Sequence, residues 1–341
     1  MELQIRNLSK TYPNGVRALD GVTLTIPTGM YGLLGPNGAG KSTLMRTLAT
    51  LQEPDAGEVT LGAPGAAVDV LRQPAAVRRR LGYLPQEFGL YPKVPAYDLL
   101  DHFAVLKGVA DKGERKALVE ALLHQTNLWS ARTKHLGGYS GGMRQRFGIA
   151  VALIGDPDLI IVDEPTAGLD PAERVRFLNL LSELGEGAVV ILSTHIVEDV
   201  AELCSRMAII NGGRILIETG PLEAIAALEG KVWKRIIEKG ELEAAEAEHA
   251  VISSRLLVGK VVVHVYSETR PGPDFEPVAP DLEDVYFATM KGHLSAAAIP
   301  GASGPVAPLA EPPAEPPADA APPLDVEAAP PPAVPAEGAE R

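Results

Sequence analysis

A glycine-rich loop that can hold a phosphate lies near the start of the chain, between the apolar run Met30–Leu34 and the helical pattern of Ser42–Leu48. The loop residues match G-x-x-x-x-G-K-S/T in full, and they are Gly35, Pro36, Asn37, Gly38, Ala39, Gly40, Lys41, Ser42 and Thr43. Glycines let successive backbone N–H groups turn towards one anion, and the start of a helix adds its unpaired N–H groups and its dipole. Lys41 can then reach the β- and γ-phosphates of a nucleotide, while Ser42 places its hydroxyl on Mg²⁺. The sequence therefore predicts a nucleotide site on this loop.

Two further groups of polar residues follow apolar runs that predict buried strands. Leu159–Val162 leads into Asp163 and Glu164, and Val189–Leu192 leads through two hydroxyl residues into His195. Parallel strands present the residues at their carboxyl ends to one edge of the sheet, where α/β proteins bind ligands. Asp163 would hold Mg²⁺ there and Glu164 would polarise an attacking water. A lone histidine is more often packed or solvent-facing, but His195 repeats the placement of Asp163 at a strand end.

Two weaker signals allow alternatives. Ser140 can cap the helix that follows it, and Gly141 and Gly142 leave N–H groups exposed at the helix start, which is a weak anion site by itself. Tyr12 is the one aromatic residue of the first loop. It can stack on a nucleotide base or pack locally in a turn, and its spacing alone favours the turn.

Composition excludes several classes of protein. The 341 residues carry a net charge of −13, with a pI of about 5.1, which argues against a general nucleic-acid binder because phosphate neutralisation needs clustered Lys and Arg. The single cysteine, Cys204, excludes an intrachain disulfide. The apolar runs have the length of strands, and Met1–Arg6 lacks the features of a signal peptide. We therefore expect any membrane-spanning segments to belong to another chain.

In their order along the chain, these motifs resemble the ATP-binding subunit of an ABC transporter over residues 1–220. The resemblance implies the following motifs: Walker A at residues 35–43, an adenine-stacking aromatic at Tyr12, the residue that senses Mg²⁺ and the attacking water at Gln86, the signature at Ser140–Met143, Walker B and its catalytic glutamate at Asp163 and Glu164, the D-loop at Ala167–Asp170, and the switch histidine at His195. The chain departs from the usual signature at Tyr139, where the family has an aliphatic residue, and at Met143, where it has glutamine. The Ser-Gly-Gly centre is intact.

The resemblance also implies a mechanism in which two such domains associate head to tail, with ATP at each seam. One copy supplies its phosphate loop and the residues Lys41, Ser42, Gln86, Asp163, Glu164 and His195. The other copy supplies Ser140 and Gly142 across the gap, with Gly141 and Asp170 also at the nucleotide. Lys41, Gln86, Glu164 and His195 are the catalytic group, and Ser42, Gln86 and Asp163 are the Mg²⁺ group. ATP binding would close the dimer and hydrolysis would open it.

The predicted fold is α/β: a P-loop NTPase domain of the ABC ATPase type at residues 1–220, with a mostly parallel core sheet, an antiparallel β subdomain and a helical subdomain at about 87–150. Residues 221–293 predict a small α+β accessory domain with strands at Val232–Ile237, Leu256–Gly259 and Val261–Tyr266. This domain resembles the accessory region of ATPases that partner with export-type permeases. Residues 294–341 are rich in Pro and Ala and predict a disordered tail.

The leading interpretation is an ATPase subunit that drives a separate transmembrane permease, with export as the expected direction. A single Walker A motif implies pairing with a copy of this chain or with a relative, and a homodimer is the expected form. The permease partner would place the chain in the cytoplasm, on the inner face of the cell membrane. Phe88, Leu90 and Tyr91 can contact the permease or pack locally. The alternative is a soluble ABC ATPase acting on ribosomes or DNA. The absence of sustained heptads between Thr43 and Ser140, together with the acidic charge, disfavours direct contact with nucleic acid.

Overall fold

The structure is a computed structural model that describes residues 1–63, 65–86, 89, 91–166, 168–185 and 187–304. Its strands, in chain order, are β1 (Glu2–Thr11), β2 (Arg17–Pro27), β3 (Gly29–Leu34), β4 (Ala56–Gly62), β5 (Val68–Asp69), β6 (Leu81–Leu84), β7 (Leu159–Asp163), β8 (Val189–Thr194), β9 (Arg206–Asn211), β10 (Arg214–Thr219), β11 (Val232–Ile237), β12 (Val251–Leu257), β13 (Lys260–Tyr266) and β14 (Glu276–Pro277). Its α-helices are α1 (Lys41–Leu48), α2 (Pro74–Arg79), α3 (Ala96–Leu106), α4 (Lys112–Gln125), α5 (Gly141–Ala152), α6 (Pro171–Leu184), α7 (Val197–Leu203), α8 (Pro221–Ala226), α9 (Leu242–Glu248) and α10 (Leu282–Met290).

The central sheet has the order β10-β9-β3-β8-β7-β6, and all its pairs are parallel except β10 with β9. Every residue of β7 and β8 is buried, as expected for parallel strands covered on both faces. Alternate residues of these strands enter two different cores. Ile161 and Ile191 pack with α1, whereas Val162 and Leu192 pack in the core that includes α6 and α7.

An antiparallel sheet, β2-β1-β4-β5, and a helical subdomain complete the part that positions the site. The subdomain helices α3, α4 and α5 share a separate core that includes Leu100, Leu123 and Phe147. The predicted α/β architecture, with a mostly parallel core sheet, an antiparallel β subdomain and a helical subdomain, is confirmed.

Residues 221–304 form a second antiparallel sheet, β12-β13-β11-β14, with α10 against it. One side of this sheet has its own small core, which includes Ile237 and Val263. On the other side, Ile252 of β12 and Val285 of α10 join the core that includes α6 and α7. The predicted strand at Leu256–Gly259 is wrong in its bounds. β12 ends at Leu257, and Val258 and Gly259 form the turn, both with positive φ (49° and 85°).

The predicted disordered tail begins too early. Leu294, Ala296 and Ile299 are buried, and Ser303 pairs with Glu218 of β10 through hydrogen bonds in both backbone directions. Ser303 also donates its hydroxyl to the Glu218 carboxylate at 2.7 Å. Residues 294–304 are therefore packed on the edge of the central sheet, and residues 305–341 lie outside the described part of the chain.

Candidate active site

The phosphate loop connects the end of β3 to the start of α1, and two of its glycines are required by close contacts. Gly40 caps α1 with φ +106°, and a Cβ there would lie 2.4 Å from the carbonyl oxygen of Ala18. A Cβ on Gly35 would lie 2.4 Å from the carbonyl oxygen of Ile210. Gly213, in the turn between β9 and β10, donates its N–H to Ala39 at 3.0 Å. The loop is thus held on two sides by backbone contacts, which fixes the direction of its N–H groups.

Lys41 is buried at the centre of this loop. Its ammonium donates to the carbonyl oxygens of Gly35 at 2.6 Å and Pro36 at 3.2 Å, and lies 3.5 Å from Oε1 of Glu164. Burial lowers the pKa of Lys41, and the neighbouring carboxylate of Glu164 opposes that shift. The charged end of Lys41 therefore lies between the phosphate loop and the end of β7.

Glu164 and His195 form a direct pair at neighbouring strand ends. Because β7 and β8 run parallel in register, with Asp163 opposite Ser193, the residues after them emerge side by side. Oε2 of Glu164 lies 2.7 Å from Nδ1 of His195. Glu164 is buried, has φ +49° and donates its backbone N–H to Ser193 at 2.8 Å, whereas the His195 side chain is half exposed. The arrangement can hold a water against a carboxylate base, with an imidazole at the solvent side.

Asp163 fits the role of a Mg²⁺ ligand. It is buried, and its Oδ1 has no hydrogen-bond partner among the described residues. Burial raises the pKa of Asp163, while the hydroxyls of Ser193 and Ser42 oppose the rise. An unpaired carboxylate oxygen next to a serine hydroxyl suits a hard cation that prefers oxygen ligands. Within the described ranges, no cluster of three His, Cys, Asp or Glu residues could bind a metal ion.

Tyr12 lies beside the phosphate loop, whereas Gln86 lies at the end of β6. The Tyr12 hydroxyl lies 3.1 Å from Oγ1 of Thr43 and donates to Gln52 at 3.2 Å, which places the ring beside the phosphate loop. Gln86 follows β6, whose Leu84 pairs with Val162, so it emerges next to the end of β7. Gln86 is exposed and makes no hydrogen bond with the described residues.

The signature and D-loop residues lie at the starts of two helices. Ser140 caps α5 and accepts from the N–H of Met143 at 3.2 Å, and Asp170 caps α6 and accepts from the N–H of Glu173 at 2.9 Å. A Cβ on Gly142 would lie 2.4 Å from Oε2 of Glu173, whereas Gly141 has open space within 4 Å. In the described part of the chain, no hydrogen bond or ion pair connects these residues to the phosphate loop. Ala167 is outside that part.

Sequence reasoning missed a buried polar network behind the segment that connects β7 to α6, which is called the catalytic loop below because Glu164, the proposed base, is its first residue. Thr166 donates its hydroxyl to Oδ2 of Asp199 at 2.5 Å, and Arg174 donates from Nε to Oδ1 at 2.8 Å. Asp199 is fully buried on α7. The sequence feature that could have indicated this network is the acidic residue four positions after His195, which is Asp199. It lies in the first turn of a helix, and helical side chains are tilted towards the N-terminus of their own helix.

The comparisons with known proteins agree with this geometry. Residues 19–167 match the family model described as ABC transporter. The daunorubicin/doxorubicin resistance ATP-binding protein DrrA of Streptomyces peucetius is 34% identical over 271 residues, which cover 79% of this chain and 78% of DrrA. The chain belongs to the ABC transporter ATP-binding proteins. As a member of this family it is an ATPase.

Two further sequence relatives and one solved structure are also similar to this chain. The Nod factor export ATP-binding protein I of Burkholderia orbicola is 34% identical over 301 residues, covering 84% of this chain and 95% of that protein. The methionine import ATP-binding protein MetN of Bordetella pertussis is 35% identical over 261 residues, covering 74% of this chain and 72% of MetN. Among solved structures, the post-hydrolysis dimer of the ATP-binding cassette MJ0796 with ADP and Pi superposes with a TM-score of 0.58 at 27% identity, covering 64% of this chain and 98% of that one. No helix in the described ranges combines the length and apolar character needed to cross a membrane.

Proposed function

We propose that this ABC ATPase pairs head to tail with a second copy of itself, binds Mg·ATP at each seam, and drives a separate membrane-embedded permease in export. The observation that carries the proposal is the 2.7 Å pair of Glu164 and His195 next to Lys41. Among the described residues, no hydrogen bond or ion pair connects the helix start at Ser140–Gly142 to that centre. A second chain is the simplest source of a helix start that can reach the γ-phosphate. The MJ0796 cassette is dimeric in its structure with ADP and Pi, which supports the pairing of two copies.

Each catalytic residue has a separate task in this proposal. Lys41 exchanges the carbonyls of Gly35 and Pro36 for phosphate oxygens, which keeps its buried charge compensated throughout. Glu164 accepts a proton from the attacking water as general base, and His195 holds the carboxylate in place. Gln86, exposed after β6, would move to contact the water and the cation.

The remaining roles concern binding. Ser42 and Asp163 would hold Mg²⁺, which neutralises developing charge on the phosphates. Tyr12 would stack on adenine. Ser140, Gly141, Gly142 and Asp170 of the second copy would bind across the seam, where the start of α5 offers its N–H groups to the γ-phosphate.

The surface that fits a permease is a cleft between the helical subdomain and the core. A cavity of about 270 Å³ lies between the ends of α2, α3 and α5. Its floor is apolar, with Phe103, Val151 and Ile154, and it is bordered by three cationic residues, Arg78, Arg79 and Lys107. Leu106 lines the same cavity and is 68% exposed.

This cleft suits a short amphipathic helix that places apolar side chains on the floor and acidic groups, or the negative end of its dipole, at the cationic border. Tyr91, for which the sequence leaves permease contact and local packing open, is 62% exposed, and Phe88 and Leu90 lie outside the described residues. A permease in the cell membrane would bring the ATPase to the cytoplasmic face of that membrane.

Export is supported by the alignments to DrrA and to the Nod factor export protein, which are named for drug resistance and for export. MetN, an import protein by name, matches over a shorter stretch, so direction needs a transport assay. The accessory sheet at residues 221–293 would then support or regulate the dimer.

The test is an affinity purification of tagged Glu164→Gln protein with ATP from detergent-solubilised native membranes, followed by mass spectrometry. We expect one polytopic membrane protein at near-equal stoichiometry. The cleft variant Leu106→Asp should lose it, and the matched control Leu222→Asp, at a residue 79% exposed on α8, should retain it. Recovery of ribosomal proteins or DNA without a membrane protein would instead support the soluble ATPase. Uptake or extrusion in inverted vesicles that contain the purified complex then fixes the direction.

A further inference from the structure

The chain reverses its direction directly after α1, the helix that begins in the phosphate loop. The N–H of Leu51 donates to the carbonyl of Arg46 at 2.9 Å, and the N–H of Thr50 donates to Thr47 at 3.0 Å. This pattern closes a helix through one residue in the left-handed conformation, which here is Thr50, with φ +59°. The side chain of Arg78 holds that residue, with bonds of 2.8 Å to its hydroxyl and 3.1 Å to its carbonyl. The following segment therefore runs back along α1.

Gln52 is the first residue of that segment to bond back to α1 through its side chain. Its Nε2 donates to the carbonyl of Thr43 at 3.0 Å and to Oγ1 of Thr47 at 3.1 Å. Its Oε1 accepts from the Tyr12 hydroxyl at 3.2 Å. The opposite orientation of the amide would turn its oxygen towards the carbonyl oxygen of Thr43, and neither of those atoms carries a proton. The amide of Gln52 therefore has one favourable orientation, with its oxygen towards Tyr12.

The side chain of Tyr12 is held at both of its ends. Its backbone lies in the turn between β1 and β2, where its N–H donates to Val16 and its carbonyl accepts from Gly15, each at 2.9 Å. At the far end, the hydroxyl donates its single proton to Gln52, so Thr43, with Oγ1 at 3.1 Å, is the donor of the second bond. The hydroxyl has no proton left for a ligand, and the orientation of the ring is fixed by protein groups.

We propose that Gln52 is a positioning residue for nucleotide binding, which holds the Tyr12 ring in the orientation that stacks on the base. The inference rests on the stacking role of Tyr12 in the proposed function. A ring that is already oriented loses less conformational freedom when the nucleotide binds, which improves affinity without any new contact. Because Thr43 belongs to the phosphate loop, the same bonds fix the position of the ring relative to the phosphate site.

The effect of Gln52 should be confined to ligands that carry a base. Helix carbonyls point towards the C-terminus, whereas the free N–H groups that bind phosphate point out of the N-terminus. The bond from Gln52 to the carbonyl of Thr43 therefore leaves the phosphate-binding groups of the loop unoccupied. Loss of Gln52 frees the Tyr12 ring but keeps the phosphate site, and this difference can be measured.

The test compares ATP with inorganic tripolyphosphate, which has phosphates but no base, by calorimetry on the full-length chain in the Glu164→Gln background. We expect Gln52→Met to weaken ATP binding by about 2- to 10-fold, the net effect of one neutral hydrogen bond, and to leave tripolyphosphate binding unchanged. Tyr12→Phe, which keeps the ring, should have the same selective effect. The double variant should bind ATP about as well as the weaker single variant, because both changes remove one shared contact. With Glu164 intact, KM for ATP should rise while kcat is retained.

The matched control is Gln4→Met, near the start of β1, where the amide bonds to Glu2 and Arg6, and it should change none of these quantities. Thermal unfolding checks each fold, and Tyr12→Phe remains informative if Gln52→Met unfolds. Tyr12→Ala tests the premise, because loss of base stacking should weaken ATP binding by about 5- to 150-fold; unchanged affinity refutes the stacking role itself.

Three results overturn the inference alone, in a chain where Tyr12→Ala weakens ATP binding as expected. The first is a folded Gln52→Met variant with wild-type affinity for ATP. The second is an equal loss of affinity for ATP and tripolyphosphate, which would show that Gln52 supports the phosphate loop. The third is full additivity of Gln52→Met with Tyr12→Phe, which would show that the two residues act separately.

Discussion

Replacing Glu164 by glutamine is the most direct test of the catalytic centre. The substitution keeps the size of the side chain, and its amide oxygen can still accept from Lys41, so we expect the fold to be retained. It removes the negative charge that lies 2.7 Å from Nδ1 of His195, and with it the proton acceptor that we propose for the attacking water.

The expected loss of hydrolysis is about 10²–10³-fold, as for removal of one general base or one electrostatic group. That corresponds to about 2.7–4.1 kcal/mol of transition-state stabilisation. ATP binding should persist, because the phosphate loop and Lys41 are unchanged, and an ATP-stable dimer should accumulate.

Steady-state phosphate release measures the first effect, and size exclusion with ATP measures the second. The control is Glu198→Gln, an exposed glutamate three residues after His195, which should keep wild-type turnover. Wild-type turnover in Glu164→Gln would refute the assignment of the base. Loss of ATP binding would show that Glu164 supports the loop instead of the reaction.

Three further predictions concern single residues. Lys41→Met should weaken ATP binding by about 10- to 150-fold in calorimetry, because a charged hydrogen bond is lost. The control Lys107→Met should leave ATP binding unchanged, because Lys107 is hydrogen-bonded to backbone carbonyls in the cleft. Gly40→Ala should lower the free energy of unfolding by more than about 1 kcal/mol, because φ is +106° and Cβ meets a carbonyl oxygen at 2.4 Å. Gly38→Ala, with positive φ but open space, should cost less, and equal losses in urea titrations would contradict the steric argument. Cys204 is buried, with its pKa raised to about 12, so alkylation at pH 8 should require unfolding; fast labelling of the native chain would oppose this.

The sequence predicts those parts of the site that are encoded by contiguous motifs or by residues directly after an apolar run. The phosphate loop is a contiguous motif, and Asp163 and Glu164 follow the four buried apolar residues Leu159–Val162. Strand ends converge by the geometry of parallel sheets, so the proximity of Glu164 to His195 follows once both strands are recognised. The turn at Val258–Gly259 was missed because Val258 adopts positive φ, which β-branched residues rarely do.

Contacts between distant segments could not be predicted in this way. The packing of residues 294–304 depends on the buried Glu218, which accepts hydroxyl hydrogen bonds from Ser303 and from Tyr31 of the central sheet. A segment rich in Ala and Pro gives no periodic signal for such a contact. The pair of Arg174 and Asp199 joins two helices whose sequences resemble those of ordinary polar surface helices, and the burial of the Asp199 carboxylate depends on the tertiary packing of α7.

The two ends of the catalytic loop are constrained in different ways, and together they fix the position of Glu164. At one end, Glu164 has φ +49°, an uncommon conformation for a residue other than glycine, and is held by its N–H bond to Ser193. At the other end, Thr166 is held by Asp199 and Asp170 caps α6. A carboxylate on a free loop would sample many positions, whereas one held on both sides stays near Lys41 and His195. The buried Thr166–Asp199–Arg174 network thus supplies the preorganisation that a general base needs, and it does so through α6, the helix that also contacts the start of α5.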